Sequence, residues 1–209
     1  MQGALDAFDL DVTGARCVDV GSSTGGFTDC LLQHGAAAVV AVDVGRAQLH
    51  ERLIADERVD VREQTDIRNV TLASLDWPGT DVGNNEGADV IVCDVSFIGI
   101  ERVLPKIIEL LDPAGVAVVL VKPQFEAGKQ EASRGRGVIK DPEIWHRVLE
   151  EAVGSTTATG ATAIAGCVSP IRGGQGNVEF FLLIRPGADQ EPLASGRIIT
   201  MVAEAQALL

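Results

Sequence analysis

Three side chains in this sequence are of the types that hold hydroxyls and move protons: Asp94, Lys122 and Glu179. Each stands at or beside the end of an apolar run: Asp89-Val-Ile-Val-Cys-Asp94, Gly115-Val-Ala-Val-Val-Leu-Val121 followed by Lys122, and Val178-Glu-Phe-Phe-Leu-Leu-Ile184. The runs read as strands. If those strands share one sheet, a lysine lies between two carboxylates, each attracting it by roughly 4 kcal/mol at 4 Å and an effective dielectric near 20. Such a cluster suits alkyl transfer to a hydroxyl. A lysine tuned by burial and neighbouring charge can orient a weak nucleophile such as a ribose hydroxyl and help remove its proton, while the alkyl donor needs only in-line placement. The competing reading is a surface lysine and an exposed strand acid, the ordinary fate of such residues.

A second constellation precedes these three. Cys17-Val-Asp-Val-Gly21-Ser-Ser-Thr-Gly25-Gly26-Phe27 passes from an apolar run through a glycine-rich turn into a helical pattern. Glycines there let the backbone take φ > 0 and approach a ligand. The spacing is G-x-x-x-G-G, whereas dinucleotide folds use G-x-G-x-x-G to bring a pyrophosphate onto a helix N-terminus. Asp19 would repel a pyrophosphate and attract an ammonium or sulfonium, and S-adenosylmethionine carries both. Asp43 ends the next apolar run, where an acid can accept hydrogen bonds from ribose hydroxyls. Asp66 follows a third run, in a position to meet an adenine amino group. Cofactor contacts are thus expected from Asp19, Gly21, Ser22, Gly25, Phe27, Asp43, Asp66 and Asp94.

These residues must be carried by a regular scaffold. Helical periodicity covers residues 3–10, a strand lies near 16–20, and a helix capped by Ser23 or Thr24 runs to about His34 and stops at Gly35. A strand over 38–43, a helix over 47–54 and a strand over 59–61 follow. Residues 76–88 form a Pro-, Gly-, Asn- and Asp-rich surface loop. Strand 89–94, helix 100–111 and strand 115–121 come next, the last continuously apolar as in a parallel sheet covered on both faces. The segment 122–136 is long and Gly-rich, the signature of a lid or substrate loop. A helix started by Asp141-Pro142 runs to about 153, strands 161–168 and 178–184 flank the turn 170–177, and a terminal helix covers 194–209. The architecture is α/β, a Rossmann-like, mostly parallel seven-stranded sheet with helices on both faces.

A chain of 209 residues suits one large α/β domain, read here as spanning 1–209. No apolar run is long enough to span a membrane and the start does not read as a signal peptide, so a cytosolic protein without a membrane partner is expected. Cys17, Cys30, Cys93 and Cys167 form no C-x-x-C pair, and His34, His50 and His146 are isolated, so buried thiols and no metal centre are expected. The net charge of −13 argues against nucleic-acid binding by the whole surface. The exception is 122–140, where Lys122, Lys129, Arg134, Arg136 and Lys140 face only Glu126 and Glu131, a local balance of +3.

Four stretches carry a family likeness: Asp19-Val-Gly-Ser-Ser-Thr-Gly-Gly-Phe27, Asp94-Val-Ser-Phe97, Val121-Lys-Pro-Gln-Phe-Glu126 and Gly176-Asn-Val-Glu-Phe180. Together, in this order, they resemble the methyltransferase domain of the TlyA or haemolysin A family, related to FtsJ-like ribosomal RNA 2′-O-methyltransferases. The resemblance implies a fold whose last strand is antiparallel, S-adenosylmethionine as cofactor, and ribosomal RNA or ribosomal subunits as partner. It also implies that Asp94, Lys122 and Glu179 are three members of a Lys-Asp-Lys-Glu catalytic tetrad. RNA contacts are expected from Lys129, Arg134, Arg136 and Arg172. The family's basic S4-type RNA-binding domain and the first tetrad lysine precede the segment matched here, so the chain is read as a methyltransferase domain without that module. Two other readings are a membrane-disrupting haemolysin, which lacks a cationic amphipathic helix here, and a nicotinamide-dependent dehydrogenase, which Asp19 and the glycine spacing disfavour.

Overall fold

The computed structural model describes residues 1–81, 86–128, 131 and 137–208. Its sheet has seven strands in the order β3-β2-β1-β4-β5-β7-β6. They are β1 (Arg16–Val20), β2 (Ala38–Val42), β3 (Val59–Arg62), β4 (Ala88–Cys93), β5 (Leu111–Val121), β6 (Ala161–Val168) and β7 (Phe180–Pro186). β1 to β5 pair in parallel, and β7 runs antiparallel to both β5 and β6. The strand order reverses between β1 and β4, and ligands of open α/β sheets bind beyond the carboxyl ends of the strands at such a switch point.

The apolar runs lack a polar face because both faces of the sheet are covered. Val18, Val20, Val40, Val42, Ile91 and Cys93 pack into one core with α4 (Leu104–Leu110), α6 (Pro142–Ala158) and α7 (Ser195–Gln206). Their neighbours Cys17, Val39, Ala41, Val90 and Val92 pack into a second core with α1 (Gln2–Phe8), α2 (Gly26–Gln33) and α3 (Glu51–Ile54). At the edge away from the switch point, Arg16 donates from Nε and Nη2 to the two oxygens of Asp89 at 2.9 and 2.7 Å, locking the starts of β1 and β4 together.

Several elements differ from the sequence reading, each for a local reason. The expected cap of α2 by Ser23 or Thr24 is replaced by Gly25, whose φ of 97° no capping serine favours. The helix expected over 47–54 is confined to α3, because the Glu63 carboxylate accepts the N–H groups of Ala47, Gln48 and Leu49 and holds them as a loop. The helix expected over 100–111 splits into a single turn, Ile100–Arg102, and then α4, since Pro105 lacks an N–H and fits only the first turn of a new helix. The segment expected as a loop after Lys122 opens with the short helix α5 (Pro123–Glu126). The helix expected to end near 153 continues to Ala158.

At Gly25 the room for a side chain is taken by α3. A Cβ there would run into Leu53 Cδ1 and lie 2.8 Å from Leu49 Cδ1, so this glycine lets the loop sit on α3. The prediction is that Gly25→Ala lowers the melting temperature by roughly 3–10 °C, the equivalent of ~1–3 kcal/mol of backbone strain in a chain this size. Calorimetric melting checks it; an unchanged midpoint would mean that α3 can retreat from the loop.

Candidate active site

The carboxyl ends of β1, β2 and β4 are stitched by backbone hydrogen bonds. The N–H groups of Gly21 and Ser22 donate to the Val42 carbonyl at 2.8 and 3.2 Å, and the Asp94 N–H donates to the Val20 carbonyl at 2.8 Å. Gly21 has φ +82°, and a Cβ on it would strike the Asp94 carbonyl, so only glycine allows this close approach. The turn opens onto a cavity of about 370 Å³ whose walls include Gly21, Asp43, Val44, Asp66, Asp94 and Phe97.

The acids around this cavity are in different electrostatic states. Asp19 is completely buried behind the turn, on the α2 side of the sheet. One carboxylate oxygen accepts the Thr28 N–H at 2.9 Å and the Thr28 hydroxyl at 2.6 Å, while Oδ1 has no partner. Burial pushes its pKa up to about 7, against the Thr28 hydrogen bonds, with Asp94 and Asp43 adding repulsion. A buried acceptor left open carries a free-energy cost of about 1–3 kcal/mol, and a cationic ligand would relieve it. Asp43 accepts from the Ser23 and Gly45 N–H groups at 2.8 and 2.6 Å, an arrangement that leaves lone pairs on both oxygens. Asp66 starts the turn Ile67–Asn69 and is gripped by the guanidinium of Arg68, which holds its carboxyl below the usual range.

A second cavity, of about 940 Å³, adjoins the first, and the two share Ser96 and Phe97. Its walls also include Lys122, Gln124, Phe125, Asn177 and Glu179. Lys122 caps α5; its ammonium forms an ion pair with Asp94 and donates to Ser96 Oγ at 3.1 Å. The Lys122 side chain is only 11% exposed. Glu179, 7% exposed, immediately precedes β7 and accepts from Gln124 Nε2 at 2.8 Å. Burial raises its pKa, partly countered by Gln124 and by the field of Lys122. Gly173 lies so close to this carboxylate that a Cβ would displace it. The buried Asn177 accepts the Ile139 N–H at 3.0 Å and donates to the Gly137 carbonyl at 2.8 Å, which ties residues 137–139 to the 173–177 turn.

The three residues singled out first therefore meet at one edge, Lys122 paired with Asp94 and sharing a cavity with Glu179. Of the expected cofactor residues, Gly21, Asp43, Asp66 and Asp94 line the smaller cavity, and Asp19 lies behind it. Ser22, Gly25 and Phe27 are not on its wall: Ser22 closes the turn by accepting the Gly25 N–H at 2.7 Å, Gly25 meets α3, and the Phe27 ring packs 6.2 Å from that of Phe181. Arg172 is exposed on the 170–177 turn, outside both cavities, and Lys129, Arg134 and Arg136 lie outside the described residues. Sequence reasoning passed over Ser96, Phe97, Gln124, Phe125 and Glu126. All five stand inside the quoted motifs, which were read for only some of their charged members. Phe97 is 91% exposed at φ 64°, an unusual placement for a bulky residue, and its ring lies 4.8 Å from that of Phe125.

Among the described residues no helix is long and apolar enough to cross a membrane, and no group of three or more His, Cys, Asp and Glu could hold a metal ion.

The family model described as FtsJ-like methyltransferase matches residues 1–185. The chain is 41% identical over 194 residues to the 16S/23S rRNA (cytidine-2′-O)-methyltransferase TlyA of Mycobacterium tuberculosis, covering 93% of this chain and 69% of that protein. A solved structure from Streptococcus thermophilus, provisionally named a hemolysin, superposes with a TM-score of 0.90 at 35% identity, over 99% of this chain and 72% of that one. An S-adenosylmethionine-dependent methyltransferase of Mesorhizobium loti shares the fold at 16% identity, with a TM-score of 0.60 over 88% of this chain and 96% of that one.

The buried acid gives a signed prediction. Because the folded-state pKa of Asp19 is raised, to about 7, its contribution to stability is present below the unfolded-state pKa and is lost as pH rises through 7. The melting temperature of Asp19→Asn minus that of the unaltered chain should therefore be more positive at pH 8 than at pH 5.5. A difference that does not change with pH would place the ionisation elsewhere.

Proposed function

The chain belongs to the FtsJ-like methyltransferase family, and on that footing we propose that it transfers a methyl group from S-adenosylmethionine to a ribose 2′-oxygen of ribosomal RNA. The observation that carries this reading is the meeting of two cavities at Ser96 and Phe97, with the Lys122–Asp94 ion pair at the junction. One cavity has the features of a nucleoside cofactor site, and the other, rimmed by an exposed aromatic ring, suits an unstacked nucleotide.

The residues around the smaller cavity fit the cofactor. The unpartnered Asp19 Oδ1 favours a cationic group, the Gly21 backbone permits close approach, and Asp43 retains lone pairs for ribose hydroxyls. When bound, S-adenosylmethionine supplies an electrophilic methyl on a sulfonium. Lys122 Nζ, fixed by Asp94 and Ser96, is the group placed to orient the incoming hydroxyl; once its ammonium has released a proton to solvent, the free amine takes the hydroxyl proton as the oxygen is methylated. Glu179, held by Gln124, adds a negative field at Nζ that favours the ammonium regenerated when the amine takes that proton. The exposed face of Phe97 offers a stacking surface to the base, a contact that tolerates any base because every base has a π-face.

We read residues 1–209 as one methyltransferase domain that acts in the cytosol, where ribosomal subunits are found. An S4-type module, as in the resembling family, would supply the cationic grip that a net charge of −13 lacks. Of the expected RNA contacts, Arg172 remains a proposal on the exposed 170–177 turn.

Calorimetric titration with S-adenosylhomocysteine and transfer of labelled methyl to ribosomal subunits test the reading together. The expected outcome is micromolar-class cofactor binding, and loss of transfer by about a hundredfold or more in Lys122→Ala with cofactor affinity held within about threefold. Absence of cofactor binding, or tighter binding of a nicotinamide dinucleotide, would overturn it.

A further inference from the structure

Glu126 is the one charged member of the Val121-Lys-Pro-Gln-Phe-Glu126 stretch that the transfer chemistry leaves unused. Its side chain lies between α5, the turn Ile100–Arg102 and α6. Both carboxylate oxygens accept the same N–H, that of Ile100, at 3.2 and 3.3 Å. Ile100 opens the turn Ile100–Arg102, whose N-cap Gly99 brings no side-chain cap, so an acid from another element does the capping. That bond joins the end of the loop carrying Asp94, Ser96 and Phe97 to the helix that follows Lys122. The residue before Glu126 is Phe125, whose ring packs on Phe97 and lies 5.8 Å from Lys122 Nζ.

The placement is electrostatically unfavourable. Glu126 is half-buried, and the charged groups that act on it, Glu101 from the turn and Glu151 from α6, are both acids. The nearby cations are engaged elsewhere: Arg102 faces Glu101, and Arg147 is shared between Glu151 and Glu131. Burial, opposed by the Ile100 hydrogen bond, pushes the Glu126 pKa up to about 7. An acid kept at such a cost, with a loop N–H as its bonded partner among the described residues, serves placement better than stability.

We infer that Glu126 is a positioning residue of the transfer site: by accepting the Ile100 N–H it pins the Asp94–Ile100 loop to α5 and so sets the Phe97–Phe125 ring pair at the junction of the two cavities. The inference rests on the methyl-transfer reading, because it assigns Glu126 to that reaction's geometry.

The full chain is compared with Glu126→Ala, which removes the acceptor, and Glu126→Gln, which keeps one without the charge. Glu126→Ala is expected to lower kcat about tenfold or more, with affinity for S-adenosylhomocysteine within about threefold of the unaltered chain. Glu126→Gln restores kcat to within about threefold at pH 6, and the unaltered chain then gains on it through pH 7 as the carboxylate forms and makes the stronger, charge-assisted bond. Independently of activity, nuclear Overhauser contacts between the Phe97 and Phe125 rings are kept in Glu126→Gln and lost in Glu126→Ala. Retention of kcat or of the ring contacts in Glu126→Ala, or a glutamine variant as impaired as the alanine one, overturns the inference. If the unaltered chain transfers no methyl to ribosomal subunits, the proposed reaction falls, and the ring contacts alone decide the role of Glu126.

Discussion

The ion pair between Lys122 and Asp94 spans the ends of two neighbouring parallel strands, and the register of those strands decides where it forms. Cys93 lies opposite Val119, so Asp94 leaves the sheet early enough for Lys122, three residues past Val119, to reach back over it. A slip of one residue would send each side chain to the opposite face of the sheet. The apolar packing of β4 and β5 on both faces therefore holds a polar contact that the packing itself does not touch. The antiparallel β7 completes the arrangement, because its first residues, not its last, arrive at the carboxyl edge and deliver Glu179 beside Gln124.

The same edge gathers acids whose ionisation the fold opposes. Asp19, Glu126 and Glu179 all have pKa values raised by burial, whereas Asp66 and Glu63, at the exposed rim, are held down by Arg68 and by backbone N–H groups. The division follows position: carboxylates at the rim are satisfied by arginine or backbone N–H groups, and of the three inward ones Asp19 has an oxygen without a partner.

The sheet was legible in the sequence because both of its faces are buried: uninterrupted runs such as Val39-Val-Ala-Val42 and Val116-Ala-Val-Val-Leu-Val121 leave little else to be. Asp94, Lys122 and Glu179 were legible because each stands where such a run meets polar sequence. Less visible were contacts that depend on tertiary neighbours. No local pattern announces that Glu63 will hold the 47–49 backbone, that Gly25 will seat the turn on α3, or that Gln124 will orient Glu179. Phe97 was hidden for another reason: an aromatic residue beside a strand reads as core, and only its left-handed backbone turns it out to solvent.

The closeness of Gly25 to Leu53 ties the shape of the glycine turn to the bulk of a residue on another helix. A shorter side chain at 53 would not admit a methyl at 25, because Leu49 Cδ1 also stands 2.8 Å from that position and the backbone φ of 97° strains any L side chain there, and it would leave a void beneath the turn. Glycine at 25 is thus required twice over, by the backbone and by the two leucines beneath it. A helix of four residues, Glu51–Ile54, thereby anchors the turn on which the smaller cavity opens.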